Sequence, residues 1–355
     1  MSDATTLIWK NLRAYIDISD FNATSNCSSS LNQLFRDFVT VQIQQGQLHA
    51  WLEQFANKQL EFTNQTESPP CATTETQELL ITIWQENRQL VPSWFPLSSM
   101  QTCFLLAAKD DYPSAMTILR RMGCDPNAVA SIDGHANVTA TMIAAEYNAQ
   151  AVLHCLLQLP LDSTLTNERG ESALFLAAQH GHVKVLEMIL SHLNQVSDAQ
   201  RVAASVNARN CLDHTPWSIA VSEGHLACVQ RLHASGHVTC YHTRNKQGLF
   251  PLHLAVAAGH GPIVQWLLSC QGELSLEIDA PNFCGETALH IACWENQVDI
   301  AEMLLVEGAD VNAHNGKGEC PLHWVAHHNH GALAALLLSP NYHANATLPN
   351  RNGTT

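Results

Sequence analysis

The chain has 355 residues, with 17 Lys and Arg against 32 Asp and Glu, which gives a formal net charge of −15 at pH 7. Because binding to nucleic acid requires a basic face, this balance argues against nucleic acid as the main partner. The sequence has no apolar run long enough to cross a bilayer and no basic-then-apolar start, so we expect neither membrane insertion nor a signal peptide.

Twelve cysteines would suggest a disulfide framework in a small secreted domain. Here, however, no two of them are spaced as Cys-x-x-Cys, and many occupy small apolar positions of the repeats described below. We therefore predict a reducing, cytoplasmic location, no structural metal and no cofactor.

Residues 1–95 differ in pattern from the rest of the chain. Apolar residues recur at helical spacing over 31–41, 48–55 and 79–84. The segment 91–99, which contains two prolines, marks a boundary. We predict an α-helical module over residues 1–95, which is either a cap for the rest of the chain or a second recruitment module.

From residue 96 onward the sequence repeats itself. A threonine-like position, followed in the best cases by Pro-Leu-His, occurs at Thr102, Thr139, Ser172, Thr215, Phe250, Thr287, Cys320 and Thr355. Subtraction gives successive spacings of 37, 33, 43, 35, 37, 33 and 35 residues. We number the units that begin at these positions repeat one to repeat seven, with the start of an eighth at the end.

The clearest unit runs over 285–315, where Thr287 opens one apolar segment and the pair Leu304 and Leu305 closes a second. This unit resembles the ankyrin repeat, which is a turn, two short antiparallel helices and an extended loop. The resemblance implies that residues 96–355 form an all-α solenoid with β-hairpin-like fingertips. The last fingertip, 350–355, stops before its Pro-Leu-His, so we expect the natural protein to continue beyond Thr355.

Proline and glycine occur where such repeats need them. Proline suits the first turn of a helix and is found there at Pro216, Pro251 and Pro321. Glycine suits the turn between the two helices and is found there at Gly181, Gly224 and Gly259. Repeat three carries an insertion over 191–205, which we predict to be a loop with one extra helical turn.

The sequence contains no GxSxG elbow, no phosphate-binding GxxxxGK[ST] loop and no HExxH motif, so we predict no enzyme activity. The histidines of repeat seven suggest a metal site. The resemblance gives two of them a structural role instead. His323 is the histidine of Pro-Leu-His, which in this family forms hydrogen bonds between adjacent turns and which corresponds to His253 and His290. His330 is the histidine of the Gly-His pair. We therefore predict no metal.

In ankyrin stacks, partners lie along the concave side, which the fingertips and the exposed ends of the first helices form. Position by position, this implies a protein-binding surface made of Trp294, Glu295, Phe283, Tyr147, Glu146, Gln179, His180, Glu223, Lys246, Lys317, His327 and His328. Trp294 is the strongest candidate, because an exposed tryptophan beside Phe283 has the profile of a binding hot spot. The alternative is that Trp294 packs against its own stack.

The family resemblance also implies a modification. Asn127, Asn207 and Asn312 occupy the asparagine position at the end of the repeat, which asparaginyl hydroxylases modify in ankyrin proteins. The alternative is that these side chains cap the loops.

We predict a monomeric, non-enzymatic scaffold that binds another protein. The alternative is the substrate-recruiting part of a larger enzyme, whose catalytic domain lies beyond Thr355 or in residues 1–95. The composition, with few lysines and abundant Gln, Asn, His and Cys, also resembles ankyrin effectors that intracellular bacteria inject into host cells, which would place the chain in the host cytosol and give it a role in virulence.

Overall fold

The computed structural model describes residues 97–121, 123–132, 135–162, 164–196 and 199–355. The predicted helical module of residues 1–95 lies outside the described residues. The described residues belong to two compact units, one ending at Glu168 and one running over Arg169–Thr355. Each unit is described by itself.

The first unit contains repeats one and two. Its described elements are α1 (Leu97–Lys109), α2 (Pro113–Arg121), β1 (Ala130–Ile132), β2 (His135–Val138), α3 (Ala140–Glu146) and α4 (Gln150–Leu156). The strands β1 and β2 pair antiparallel, with Ala130 opposite Val138 and Ile132 opposite His135. Repeats one and two are thus two helix pairs joined by a short hairpin.

The second unit contains repeats three to seven. Its described elements are α5 (Ala173–Gln179), α6 (Val183–Val196), α7 (Ala199–Val206), α8 (Pro216–Ser222), α9 (Leu226–Ala234), α10 (Pro251–Ala257), α11 (Gly261–Ser269), α12 (Gln271–Leu274), α13 (Ala288–Trp294), α14 (Val298–Val306), α15 (Pro321–His327) and α16 (Gly331–Leu337). First helices contact first helices along α5, α8, α10, α13 and α15, and second helices contact along α11, α14 and α16. This confirms the predicted all-α ankyrin solenoid.

In repeats two to seven the first helix begins directly after the threonine-like position, and in repeats two to four the side chain at this position caps the helix. Repeat one differs, because α1 begins at Leu97 and contains Thr102 in its interior. The side chain of Thr215 accepts a hydrogen bond from the Ser218 amide at 3.1 Å, and the Thr215 amide donates back to the Ser218 hydroxyl at 2.9 Å. In repeats five to seven a histidine replaces this serine: the amides of Phe250, Thr287 and Cys320 donate to the Nδ1 atoms of His253, His290 and His323. Such reciprocal caps satisfy backbone donors that a helix start leaves open.

The turn between the two helices of a repeat requires a left-handed residue. Gly181 has φ +72°, and Gly224 and Gly259 are similar, as predicted. In the other repeats Asp111, Asn148, Asn296 and Asn329 adopt φ between 53° and 59° at this position. Asparagine and aspartate tolerate this conformation better than other residues with a side chain.

The core lies between the helix pairs. Ala177 and Ala178 are fully buried, and so are the second-helix leucines Leu267, Leu304 and Leu337. Burial of one leucine side chain contributes about 2 kcal/mol, so neighbouring repeats stabilise one another.

One expectation needs correction. The insertion over 191–205 contains the predicted extra helical segment, which is α7, but most of the remainder is not a loop because α6 extends to Val196, and Leu193, Val202 and Val206 are buried. These apolar residues favour helix because a loop would leave them in water.

The fingertips of the second unit are hairpin-like, as predicted. In repeat five the Asn245 amide donates to the Leu249 carbonyl at 3.0 Å, and the Lys246 amide donates to the Leu212 carbonyl of the preceding fingertip at 3.1 Å. Among the described residues, β1 and β2 form the one regular strand pair.

Candidate protein-binding surface

The fingertips of the second unit are held by a recurring asparagine. In the fingertip of repeat five, 245–249, the Asn245 Oδ1 atom accepts hydrogen bonds from the amides of Gln247 and Leu249, both at 3.0 Å. Equivalent pairs of bonds occur at Asn210, Asn282, Asn315 and Asn350. The sequence analysis missed these residues, although each stands five positions before a threonine-like position.

Between these asparagines and the next helix, the fingertips expose Lys246, Phe283 and Lys317. Phe283 is 67% exposed, and its ring lies so close to Gly248 that a Cβ atom there would be 2.4 Å from it. The Arg244 guanidinium lies 5.7 Å from the centre of the Phe283 ring. Phe283 therefore rests on the fingertip of repeat five and already has a cation beside it.

At the end of α13, Trp294 is 51% exposed. Its ring centre lies 5.2 Å from that of Trp324 and 4.4 Å from that of His328, both in edge-to-face geometry. One part of the Trp294 side chain thus packs against repeat seven, as the alternative expectation had it, and the other faces solvent, while its role as a binding hot spot stays a prediction. Glu295, the next residue, is exposed.

Trp324, which the Trp294 ring contacts, is held in place by a hydrogen bond. The Trp324 Nε1 atom donates to the Glu319 carboxylate at 3.1 Å, and the Asn315 side chain donates to the same oxygen at 3.1 Å. These bonds, the Asn315 bond above all, lower the pKa of Glu319, so its carboxylate is ionised at neutral pH. Asn315 of the fingertip and the Trp324 ring are thereby joined through the Glu319 carboxylate.

The remaining candidates of repeats three, four and seven surround the ends of their first helices. His180, Glu223 and His327 are exposed, whereas Gln179 and His328 are half-buried. The Gln179 carbonyl accepts a hydrogen bond from His225 Nε2 at 2.9 Å, so its backbone has a structural role.

In the first unit, the candidates Glu146 and Tyr147 end α3. Tyr147 is 41% exposed, and the Lys109 ammonium lies 4.9 Å from the centre of its ring. His135 Nε2 lies 3.6 Å from the Glu146 carboxylate. Both candidates therefore already interact with charged or ionisable neighbours within the unit.

The structural roles assigned to the histidines by the family resemblance are confirmed for three of them. The Nε2 atoms of His290 and His323 bond to the carbonyls of Glu319 and Thr354, each at 3.0 Å. His330 bonds through Nδ1 to the Cys293 carbonyl at 3.0 Å. Among the described residues, no group of three or more His, Cys, Asp or Glu is arranged to hold a metal ion.

The asparagines at the ends of the repeats bridge to the following loop. Asn207 donates from Nδ2 to the His237 carbonyl at 2.8 Å and accepts at Oδ1 from the Thr239 amide at 2.9 Å. Asn127 and Asn312 make the corresponding pairs of contacts. The loop-bridging role is therefore built into the fold, and hydroxylation of these three residues stays a prediction.

Four of the described cysteines are small buried residues of the core, whereas Cys211 and Cys284 are exposed. Cys124, Cys293 and Cys320 are buried free thiols, and burial raises the pKa of Cys293 to about 12. In the part of the chain that the structure describes, no helix has both the length and the apolar character needed to cross a membrane.

Repeated short helix pairs, joined by turns and fingertips, define an α-solenoid whose first-helix ends and fingertips are exposed. A family model for ankyrin repeats, in three copies, matches residues 104–201, 197–280 and 217–315. The chain belongs to the ankyrin-repeat family.

Several curated proteins are similar to this chain. Synphilin-1 of Mus musculus is 26% identical over 172 residues, which are 48% of this chain and 17% of synphilin-1. The nuclear factor NF-kappa-B p105 subunit of Mus musculus is 32% identical over 195 residues, 54% of this chain and 19% of that protein. NF-kappa-B inhibitor delta of Mus musculus is 29% identical over 216 residues, which cover 53% of this chain and 62% of that protein. The chain thus spans less than a fifth of the length of the first two relatives.

Proposed function

We propose that the chain is a non-enzymatic scaffold that binds another protein through the exposed first-helix ends and fingertips of its second unit. Ankyrin repeats generally serve protein–protein interaction, and here Trp294 supports that role most directly. A tryptophan that is 51% exposed, yet held on two sides by other rings, offers a large apolar surface in a fixed position. Fixed aromatic residues lose little conformational entropy on binding and are enriched among hot spots.

Residues on either side of Trp294 extend this surface. Glu295 lies beside it, His327 and His328 lie in repeat seven, and the fingertips add Phe283 and Lys317. This surface offers aromatic, acidic and basic groups without a buried catalytic pair, which suits recognition of a partner rather than chemistry on a substrate. We further propose that the scaffold is monomeric and cytoplasmic.

Site-specific photo-crosslinking tests this function. Benzoylphenylalanine is placed at position 294 of the full chain and, as a matched control, at Val306, which is 67% exposed on the second helix of the same repeat. We expect a discrete crosslinked partner from position 294 and none from position 306. Equal crosslinking from both positions, or none from 294, would overturn the assignment of the surface.

The two narrower hypotheses have their own tests. The substrate-recruiting alternative predicts that the reading frame continues beyond Thr355 into a domain with a nucleophile and a base, or that residues 1–95 contain one. The effector hypothesis, which is supported by composition, predicts a bacterial gene whose product enters host cells. A gene interrupted by introns would overturn the effector hypothesis.

A further inference from the structure

Three large aromatic side chains are exposed among the described residues at the predicted positions of the binding surface: Tyr147, Phe283 and Trp294. The first two already have a cation of this chain beside their rings. Lys109 lies 4.9 Å from the ring centre of Tyr147, and Arg244 lies 5.7 Å from that of Phe283. None of the cation–π contacts among the described residues involves Trp294.

Neighbouring aromatic rings hold the Trp294 side chain in place. Its indole contacts Trp324 and His328 edge to face, and Trp324 is itself fixed by its hydrogen bond to Glu319. We call Trp294, Trp324 and His328 the aromatic platform. Because its rings are held in place, a ligand gains contact area without having to order these side chains.

Carboxylates lie at the platform. Glu295 is exposed beside Trp294, and Glu319 is hydrogen bonded to the platform through Trp324. Repeat six, over 287–319, has one basic residue, Lys317, and six acidic ones, so its net charge is 1 − 6 = −5. The six are Glu295, Asp299, Glu302, Glu307, Asp310 and Glu319. A negative field attracts cationic partners and repels anionic ones.

Tryptophan binds cations more strongly than tyrosine or phenylalanine, because the face of its ring carries the largest negative potential. Of the three exposed rings, the best cation-binding one is thus the ring without a cation, and it belongs to the most acidic repeat. We propose that the aromatic platform binds an arginine- or lysine-bearing segment of the partner protein, which rests on the proposed protein-binding function.

The occupant of the platform is a cationic side chain rather than an apolar one. A purely apolar segment would bury the Glu295 carboxylate without a partner, and burial of an unpaired charge is unfavourable. An arginine guanidinium can stack on the indole and donate hydrogen bonds to a neighbouring carboxylate at the same time.

Selection from a random peptide library displayed on phage tests the proposal on the full chain. The same selection is run on Trp294→Leu, which keeps an apolar side chain but removes the aromatic ring, and on the matched control Val306→Ala. The consensus peptide is then synthesised in two forms, one with its arginines or lysines and one with citrulline or acetyl-lysine in their place. Calorimetry measures the affinity of both forms for each protein.

We expect selected peptides enriched in arginine or lysine. Loss of the peptide's charge, or Trp294→Leu, should each weaken binding about tenfold, because a desolvated cation–π contact is worth about that factor. Val306→Ala should bind like the wild type, and Glu295→Gln should weaken the charged peptide more than the neutral one.

The other outcomes separate the two proposals. Peptides that depend on Trp294 but bind equally well without their charge would overturn the cationic partner and leave the protein-binding surface intact. Basic peptides that bind Trp294→Leu as tightly as the wild type would show a diffuse acidic attraction and overturn the platform. Recovery of no Trp294-dependent peptide would overturn both.

Discussion

Repeats five and six are built from the same pair of short helices, yet they join the following repeat differently. In repeat six the Nδ1 atom of His290 accepts a hydrogen bond from the Thr287 amide, and its Nε2 atom donates to the Glu319 carbonyl at 3.0 Å. In repeat five His253 makes the first bond, to the Phe250 amide, but its buried Nε2 atom, which lies near the backbone of Glu286 and Ala280, makes no hydrogen bond of regular geometry. The motif therefore forms a regular inter-repeat hydrogen bond, the inter-repeat link, in repeat six and not in repeat five.

The extra helix α12, which follows repeat five, accompanies this difference. Between the segment 275–280, which follows α12, and the start of α10 lies a half-open cavity of about 420 Å³, whose lining includes Tyr241, Phe250, His253, Leu276 and Ile278. Repeat six is followed directly by its loop and fingertip, and its histidine is both buried and bonded. The longer connection after repeat five thus accompanies the absence of a regular hydrogen bond from His253 to the next repeat.

The two repeats also differ at the exposed ends of their first helices. Repeat five has Ala257 and Ala258 there, whereas repeat six has Trp294 and Glu295. Both pairs are exposed, while the two residues before each pair, Ala255 and Val256 or Ala292 and Cys293, are buried. The proposed function therefore assigns stability and recognition to different parts of the same helix, so that each can be altered separately.

The largest loss of stability should come from substitutions in the apolar core, which is similar in repeats five and six. Leu304→Ala and its counterpart Leu267→Ala each remove a fully buried side chain. We expect each to lower the free energy of unfolding by about 2–5 kcal/mol, because a cavity remains. Urea unfolding measures both, and a loss below about 1 kcal/mol for either would contradict the assigned core.

Lowering the pH should reduce the free energy of unfolding through His253, the histidine of repeat five. Burial lowers the pKa of His253 from 6.5 to about 4. Between these two pH values the unfolded chain binds a proton that the folded chain does not, so stability falls as the pH drops through this window. The loss attributable to His253 should approach about 3 kcal/mol.

The measurement compares the wild type with His253→Leu by urea unfolding between pH 7 and pH 4. The variant should lose less stability over this range, because it lacks the titrating group. Parallel curves for the two proteins would show that His253 is not buried in its neutral form. The pKa of His290 is also lowered by burial, so it contributes in the same direction in both proteins.

A smaller effect should separate the linked histidine from the unlinked one at neutral pH. His290→Leu removes a cap and leaves the Glu319 carbonyl without its donor, whereas His253→Leu removes a cap and a buried donor that makes no hydrogen bond of regular geometry. We expect His290→Leu to cost about 1 kcal/mol more than His253→Leu. Equal losses, measured by thermal unfolding, would show that the inter-repeat bond adds nothing to stability.

Much of this architecture could be predicted from the sequence, because the same local rules recur in each repeat. Proline at the first helical position, glycine in the turn and paired leucines all had direct structural consequences. The asparagines of the fingertips recur just as regularly, and their spacing before each threonine-like position was a signal that could have been used.

Features that depend on contacts between repeats could not be predicted. His253 and His290 occupy the same position of the repeat, so the sequence motif does not show that only His290 makes a regular hydrogen bond to the next repeat. The insertion of repeat three is largely helical, with Leu193 and Val202 buried. The half-exposure of Trp294 depends on rings that lie thirty or more positions away in the sequence, at Trp324 and His328.

The central claim is that Trp294 serves binding more than stability. The most direct test measures the thermal stability of Trp294→Ala together with its affinity for the partner that is crosslinked at this position. We predict a loss of about 1 kcal/mol or less in stability, because half of the side chain is exposed, and a loss of about tenfold or more in affinity. Unchanged affinity, or a loss of stability as large as that of Leu304→Ala, would contradict the claim.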